Sequence, residues 1–251
     1  MKCLAIALLA ATGLSVGSGQ IASAADMPVK ARYIAPAPMS WTGCYVGAGG
    51  GYGMWNQDNQ GFDIAGVAFE QRHTDGGRGF FGTGQVGCDY QFAPKWVVGA
   101  FGDFDVGDLK GTMTMPNFSL QGDEKERWSW AVGARAGYLP WDSLLVFVSG
   151  GFTQARFGTV DFVDQNGNAS TVSIAENTYN GFFLGSGYEY KLDWMPGLSW
   201  KTEYRFADYG SRDNTIVTTG TNIPNGDGTV HSHKYVQTVR SELVYHFNMW
   251  H

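Results

Sequence analysis

The 251-residue chain has few charged side chains, and beyond residue 25 it has no long apolar segment. Charged residues make up 16% of the chain, whereas about 25% is typical of soluble domains. The longest uninterrupted apolar run after residue 25 is 144–148, which excludes a bundle of membrane-spanning helices because each helix needs about 20 apolar residues. The formal net charge of −6 also disfavours a nucleic-acid partner, since such partners bind basic surfaces.

Cysteine is also scarce, and one of the three cysteines lies in a segment that we expect to be removed. Lys2, the apolar stretch 4–14 and the small residues of Ala22-Ser23-Ala24 form the pattern of a secretory signal peptide. We predict a signal peptide over 1–24, with cleavage after Ala24 or Ala25, followed by a flexible lead-in over 25–40 that is rich in proline. The remainder, 41–251, is predicted to form the folded domain.

What the chain has in abundance is glycine, at 36 residues, and aromatic residues, at 15%. Pro94, Pro140 and Pro196 each lie between apolar segments, where a proline suits a tight turn rather than a central strand. Between them lie long polar segments that we interpret as loops, at 56–77, 110–126, 159–177 and 210–233. The pattern predicts eight strands at 41–55, 78–92, 96–109, 127–139, 144–158, 178–192, 198–210 and 234–248. Short turns and long loops therefore alternate, as they do in outer-membrane barrels.

Within these strands, charged residues alternate with large apolar ones. In 198–206, for example, Lys201, Glu203 and Arg205 alternate with aromatic residues such as Tyr204. Both faces have a suitable surrounding only if the apolar face meets lipid and the charged face lines a closed interior. We predict an all-β fold, an eight-stranded antiparallel transmembrane β-barrel with short periplasmic turns and long extracellular loops.

Ten charged residues fall on the predicted inner face: Asp103, Asp105, Arg135, Glu189, Lys191, Lys201, Glu203, Arg205, Arg240 and Glu242. An eight-stranded barrel is just wide enough for its own side chains to fill, and buried charges must pair. We predict an ion-pair network that plugs the lumen. A narrow polar conduit is the alternative, and a catalytic carboxylate pair is a weaker one.

Five tryptophans are predicted to lie at the two membrane interfaces. Trp96, Trp141 and Trp194 would form the girdle at the turns, and Trp55 and Trp128 would belong to the girdle at the loops.

Cys44 and Cys88 share the apolar face of adjacent predicted strands, near the same end. Adjacent antiparallel strands bring such residues within cross-strand distance, and an exported chain meets an oxidising compartment. We predict a disulfide between them, with two lipid-facing thiols as the alternative.

Signals for other chemistry are weak. His231 and His233 could begin a metal site in the last loop, but no further ligands are evident, so we expect no metal and no cofactor. Enzymes of this kind would need a Ser or His nucleophile system at the lipid-facing rim. His246 lies on the inner face instead, and we expect no enzymatic activity.

Several strand segments resemble the alphaproteobacterial outer-membrane β-barrel family, the porin-like major surface proteins related in fold to OmpA-type eight-stranded barrels. They are WTGCYVGAGGGYG, GQVGCDYQF, GDFD, VGARAGY and TEYRFADYG. The resemblance covers most of 41–248 and implies an outer-membrane location, with roles in envelope integrity, surface contact and limited permeation. Two features depart from the family pattern: Trp250 is the penultimate rather than the last residue, and Phe101 takes an inner position where a polar residue is expected.

The resemblance and the strand pattern together predict a surface protein with a structural and interaction role. A small porin-like channel for ions or small solutes is the alternative function. The expected partners are outer-membrane lipid and lipopolysaccharide, together with host or surface ligands that contact the long loops. The oligomeric state is left open.

Overall fold

The computed structural model describes residues 40–247. The signal peptide predicted over 1–24, nearly all of the predicted lead-in over 25–40 and the C-terminal residues 248–251 lie outside the described residues. Among residues 40–247, no helix is long and apolar enough to cross a membrane.

Strands account for most of the described chain. They are β1 (Gly43–Phe62), β2 (His73–Ala93), β3 (Trp96–Met115), β4 (Leu120–Trp141), β5 (Leu144–Phe157), β6 (Val160–Val163), β7 (Ala169–Ile174), β8 (Asn177–Lys191), β9 (Leu198–Thr218) and β10 (Pro224–Phe247). A single 3-10 turn, Pro116–Phe118, connects β3 to β4 within this range.

Eight of these strands close into a barrel. Neighbours pair antiparallel in the order β1-β2-β3-β4-β5-β8-β9-β10, and β10 pairs back to β1. The short strands β6 and β7 form a hairpin between β5 and β8, and they pair with β4 and β9 at the end of the barrel. Closure of the ring lets each barrel strand pair its backbone on both sides, which a strand in lipid requires.

The strands are longer than the sequence predicts. Most of the segments that we interpreted as loops, 56–77, 110–126, 159–177 and 210–233, continue as paired strands. Polar side chains in these segments bond across the strands: Thr74 donates to Asp58 at 2.6 Å, and the Asn59 amide donates to Asp75 at 2.9 Å. Polar composition therefore marked the region beyond the predicted membrane rather than the end of each strand.

The connections divide the barrel into two ends. Tight turns at 94–95 and 142–143 and the connection 192–197 lie at one end, which we call the turn end. The connections 63–72, 116–119 and 219–223 and the β6–β7 hairpin lie at the other, the loop end.

Around the turn-end half, the outer face is apolar and the inner face is charged. Tyr204 and Leu243 are 44% and 48% exposed, whereas Arg205 and Glu242 are 4% and 2% exposed. We call this outer surface the belt. Its strand segments are 44–54, 80–92, 96–106, 128–141, 144–152, 182–190, 200–206 and 237–247.

Beyond the belt, the pattern on β3 reverses. On β3, the exposed Phe104 and Val106 give way to the exposed Asp108 and Lys110, while the inward side chains change from carboxylates to residues such as Met113. We call this part the extension. It comprises 55–62, 73–78, 108–115, 120–126, 154–163, 169–180, 208–218 and 224–236. A tilted strand of about 9–11 residues crosses a bilayer, whereas β10 has 24, so the strands are long enough to continue beyond it.

Candidate functional site

The turn end of the barrel is closed by the residues that precede β1. Trp41 is buried inside the barrel mouth, where its indole nitrogen donates to the Asp142 carbonyl at 3.1 Å. The ammonium of Lys191 lies 4.3 Å from the centroid of the Trp41 ring and donates to the Ser40 carbonyl at 2.8 Å. Trp41 packs with four other buried apolar residues, namely Val97, Leu139, Leu145 and Phe147.

Above this apolar closure lies an ion-pair group around Arg135. Its guanidinium bridges two acids: the epsilon nitrogen donates to Asp89 at 2.9 Å, and a terminal nitrogen donates to Glu189 at 2.8 Å. Glu189 also accepts from Ser199 at 2.5 Å and lies 2.6 Å from the His246 imidazole. These contacts satisfy a fully buried carboxylate.

A second ion-pair group fills the middle of the belt. Arg205 donates to both oxygens of Asp103, at 3.1 and 3.0 Å, and to Glu203 at 3.1 Å. Arg240 pairs with Asp105 at 2.8 Å and reaches Asp103 at 3.4 Å. Arginine suits these positions because its planar fork can bind two carboxylate oxygens at once.

Lys201 completes this second group. Its ammonium donates to Gln85 at 2.6 Å and lies 3.3 Å from Glu242 and 3.6 Å from Glu203. The Phe101 ring, on the inner face, lies 5.6 Å from the Arg205 guanidinium and 6.0 Å from the Lys201 ammonium. The apolar residue that departs from the family pattern therefore covers the buried cations with its ring face.

The structure thus brings together nine of the ten charged residues predicted for the lumen. The prediction is wrong for Lys191, which is half-buried at the turn end. Its ammonium contacts the Trp41 ring instead of an acid. The sequence prediction missed Asp89, Gln85 and His246 as members. Asp89 and Gln85 are both odd-numbered residues of β2, and both face inward. The alternation along the strand therefore already indicated that Asp89 lies inside the barrel.

Two small cavities lie among these charges. One cavity of about 20 Å³ lies between the Arg205, Arg240 and Tyr209 side chains, and another of about 10 Å³ lies beside Leu109. A water molecule needs a cavity of roughly 10–15 Å³, so each of these two spaces is on the scale of one water.

Trp55 does not belong to an interfacial girdle, which corrects the sequence prediction. It is fully buried inside the barrel and donates to the Leu109 carbonyl at 3.2 Å. Trp55 has the odd-numbered, inward parity of Tyr45, opposite to Cys44 and Val46, so the alternation along β1 already indicated this position.

The other four tryptophans that we predicted for the girdles lie on the outside of the barrel. Trp96, Trp141 and Trp194 are half or more exposed at the turn end. Trp128 is partly exposed near the loop-end limit of the belt, where its ring stacks on Phe104 at 6.1 Å between centroids.

A buried lysine occupies an aromatic box just inside the extension. The Lys234 ammonium lies 5.1, 4.1 and 5.1 Å from the ring centroids of Trp55, Phe157 and Tyr179. It also pairs with Glu124 at 2.6 Å. Burial lowers the pKa of Lys234, and the Glu124 carboxylate acts against that shift.

Nearer the loop end, the interior becomes apolar. Seven buried side chains from five strands pack together there: Met113, Met115, Val160, Phe162, Ile174, Ile216 and Val230. Beside them, a cleft of about 370 Å³ opens to the outside, and its apolar lining includes Phe69, Phe118 and Val172. We call the seven packed side chains the apolar cap.

Cys44 and Cys88 form a disulfide, as the sequence predicts, and they are directly paired neighbours of β1 and β2 on the outer face. His231 and His233 lie on the outside of the extension, 2.7 Å from Asp213 and 2.9 Å from Asp208. Within residues 40–247, no group of three or more His, Cys, Asp and Glu side chains lies close enough together to hold a metal ion.

A closed antiparallel barrel with an apolar belt outside and ion pairs inside defines a transmembrane β-barrel protein. The profile of the outer membrane protein beta-barrel domain family matches residues 7–247, and the chain belongs to this family. The protein is therefore an outer-membrane protein.

Similar proteins agree with this assignment. The chain is 29% identical over 181 residues to the 31 kDa outer-membrane immunogenic proteins of Brucella melitensis and Brucella suis, which covers 69% of this chain and 73% of each relative. The fold is also similar to that of the outer membrane protein OprG from Pseudomonas aeruginosa, at a TM-score of 0.50 and 13% identity. That similarity covers 82% of this chain and 97% of OprG.

Proposed function

We propose that the protein is a structural and interaction protein of the outer membrane, with a plugged lumen and an extracellular surface that contacts ligands. We propose no catalytic role. The observation that carries the proposal is the filled interior, which Trp41 occupies at the turn end, the Arg135 and Arg205 groups occupy in the belt, and the apolar cap occupies at the loop end.

An ion that crossed this interior would have to displace paired charges. Removing one partner of a buried ion pair typically costs about 3–5 kcal/mol, because the other charge is left uncompensated. The cavities of about 10 and 20 Å³ among these charges are each on the scale of one water molecule, which supports a plug rather than a conduit.

Planar-bilayer recordings test the plug. The purified protein is expected to insert without stable conductance steps, while a large general porin added to the same bilayers supplies the positive control. Reproducible, ion-selective steps from the wild-type protein would reject the plug in favour of the small channel.

The interaction part of the proposal rests on the extension, which places the connecting loops well above the belt. Its ends carry exposed apolar side chains, including Ile64, Phe118 and Ile223, and Phe118 also lines the apolar cleft. These groups lie where lipid does not cover them, so a surface ligand can contact them.

Surface presentation can be tested with two epitope insertions in the full-length protein. An epitope between Asn166 and Gly167, in the β6–β7 turn, is expected to bind antibody on intact cells. The matched insertion between Pro196 and Gly197 is expected to bind only after permeabilisation. The reverse result would remove the basis for an extracellular contact surface.

A further inference from the structure

Three basic residues form a row across neighbouring strands on the outside of the barrel. Arg78 on β2 is the direct register partner of Lys110 on β3, which is in turn the direct partner of Lys125 on β4. All three side chains point outward, and Arg127 lies next to them on β4. We call Arg78, Lys110, Lys125 and Arg127 the collar.

Such an arrangement is electrostatically unfavourable on its own, because like charges directly opposite each other destabilise a strand pair. Asp108 provides the internal compensation: it lies 2.7 Å from the Lys110 ammonium and 3.7 Å from that of Lys125. Among residues 40–247, no acidic side chain lies within 4.0 Å of the charged nitrogens of Arg78 or Arg127. Asp123 also acts on Lys110, and Glu176 is close enough to Arg127 for the two charges to interact. The four collar cations therefore outnumber the acids near them, Asp108, Asp123 and Glu176, by one, which leaves the collar with an excess of positive charge.

The position of the collar along the barrel axis also indicates what it contacts. On β2, the next outward residue on the turn-end side of Arg78 is the apolar Phe80. On β3, the outward Asp108 lies between Lys110 and the apolar Val106, and on β4 Trp128 directly follows Arg127. The collar thus begins where the belt ends, at the level of the lipid headgroups of the outer leaflet.

The other side of the barrel lacks this arrangement at the same transition. On β8 the first outward residue beyond the exposed Phe182 is Asn180, and on β9 the residue beyond Phe206 is Asp208. Arg156 on β5 is neutralised by Glu176, whose carboxylate accepts from its epsilon nitrogen at 3.2 Å. Excess cationic charge at the headgroup level is therefore concentrated on β2, β3 and β4.

We propose that the collar binds the headgroup phosphates of lipopolysaccharide, a phosphorylated and multiply acylated glycolipid. Guanidinium and ammonium groups bind phosphate oxygens through charge-assisted hydrogen bonds. The acyl chains of the same molecule would lie against Phe80, Phe104, Val106 and Trp128, directly on the turn-end side of the collar. The site is formed by one chain and is independent of whether the lumen conducts.

The test compares two triple variants of the full-length protein in detergent micelles. R78Q/K110Q/K125Q removes three collar charges. The matched control, R72Q/K95Q/R212Q, removes three exposed charges elsewhere on the outer surface, so both variants change the net charge equally. Binding of fluorescently labelled lipopolysaccharide is followed by anisotropy.

We expect the collar variant to bind lipopolysaccharide at least tenfold more weakly than the wild type, and the control variant to bind within about twofold of it. If binding weakened equally in both variants, the effect would come from net charge alone, and the proposed site would be rejected. Unchanged binding by the collar variant would overturn it as well.

Two further measurements separate lipid from free phosphate. Chemically dephosphorylated lipopolysaccharide is expected to bind the wild type and the collar variant equally. Inorganic phosphate at millimolar concentration is expected not to displace the labelled lipid, and displacement at that concentration would mean an anion site without lipid. If the triple variant does not fold, R78Q alone is expected to weaken binding about threefold, and no change in R78Q would reject the site.

Discussion

The interior of the belt and the apolar cap of the extension belong to one closed sheet, yet their polarity is opposite. In the belt, Arg135, Arg205 and Arg240 pair with acids inside while aromatic residues face outward. In the extension, Met113 and Ile216 pack inside while charged residues such as Lys110 face outward. Each barrel wall therefore matches the medium around it, lipid below and water above.

The difference teaches where the apolar driving force acts in each half. In the belt, lipid accommodates the apolar side chains, so the lumen can be filled by paired charges. In the extension, water surrounds the wall, and burial of the apolar cap supplies the driving force as it does in a soluble domain. One closed sheet thus combines a membrane-protein half and a half that follows soluble-protein rules.

The largest expected effect comes from breaking the ion pairs of the belt. R135M leaves Asp89 and Glu189 buried without their cation, and we expect the free energy of unfolding to fall by about 3–5 kcal/mol. Urea unfolding in micelles, followed by heat-modifiable gel mobility, measures the loss. K95M, which removes an exposed cation at the turn end, is the matched control and is expected to stay within about 0.5 kcal/mol of wild type.

A triple variant separates charge from packing at the same position. D89N/R135M/E189Q removes all three charges and is expected to recover much of the stability lost in R135M, because no buried charge remains unpaired. If the triple variant is as unstable as R135M, packing rather than charge dominates in the belt, and the contrast with the extension is weakened.

The next effect acts on the extension alone. F162A removes a fully buried ring from the apolar cap, and we expect a local loss of about 3 kcal/mol. Proteolysis or hydrogen exchange within 160–174 should accelerate about a hundredfold, while the belt strands keep their protection. F118A removes an exposed ring and is the control. Equal opening of the belt strands in F162A would mean that the two halves unfold as one unit.

The smallest effect depends on pH and is expected just beyond the belt. Glu126 is buried inside the barrel, and burial raises the pKa of its carboxyl to about 7. A raised folded-state pKa favours the protonated form, so the stability contribution is present below about pH 4.5 and is lost as pH rises through 7. E126Q should therefore raise stability by about 1–2 kcal/mol at pH 8 and leave it unchanged at pH 4.

Thermal melting of both proteins across this pH range measures the effect. E176Q alters an exposed carboxylate that pairs with Arg156, and it should show no gain at pH 8. A gain for E126Q at pH 4 as large as that at pH 8 would show that the carboxyl is not titrating in the extension.

The alternation of period two was sufficient to predict the belt. Arg205 and Tyr204 face in opposite directions, as their parity indicates, and parity also pairs Cys44 with Cys88. Parity alone could not show which charges meet across the lumen. Arg135, Asp89 and Glu189 come from three separate strands, so their contact depends on how the sheet closes.

The extension was missed because polar residues were interpreted as loops. Met113 and Met115 alternate with Thr112 and Thr114 inside a segment assigned to a loop, so the period-two signal was present. In this segment the apolar residues face inward, which is the reverse of the belt. We had assumed that apolar residues face outward along the whole barrel, so the pattern was not recognised as a strand.

The seating of Trp41 fixes the point where the chain enters the barrel. The Trp41 indole donates to the Asp142 carbonyl, and the Lys191 ammonium over its ring donates to the Ser40 carbonyl at the rim of the turn-end mouth. A reporter fused upstream of Ser40 would therefore start from a defined anchor at the turn end, across the bilayer from the connections of the loop end. Such a fusion attaches a label at one defined end of the barrel and leaves the surface of the loop end unmodified.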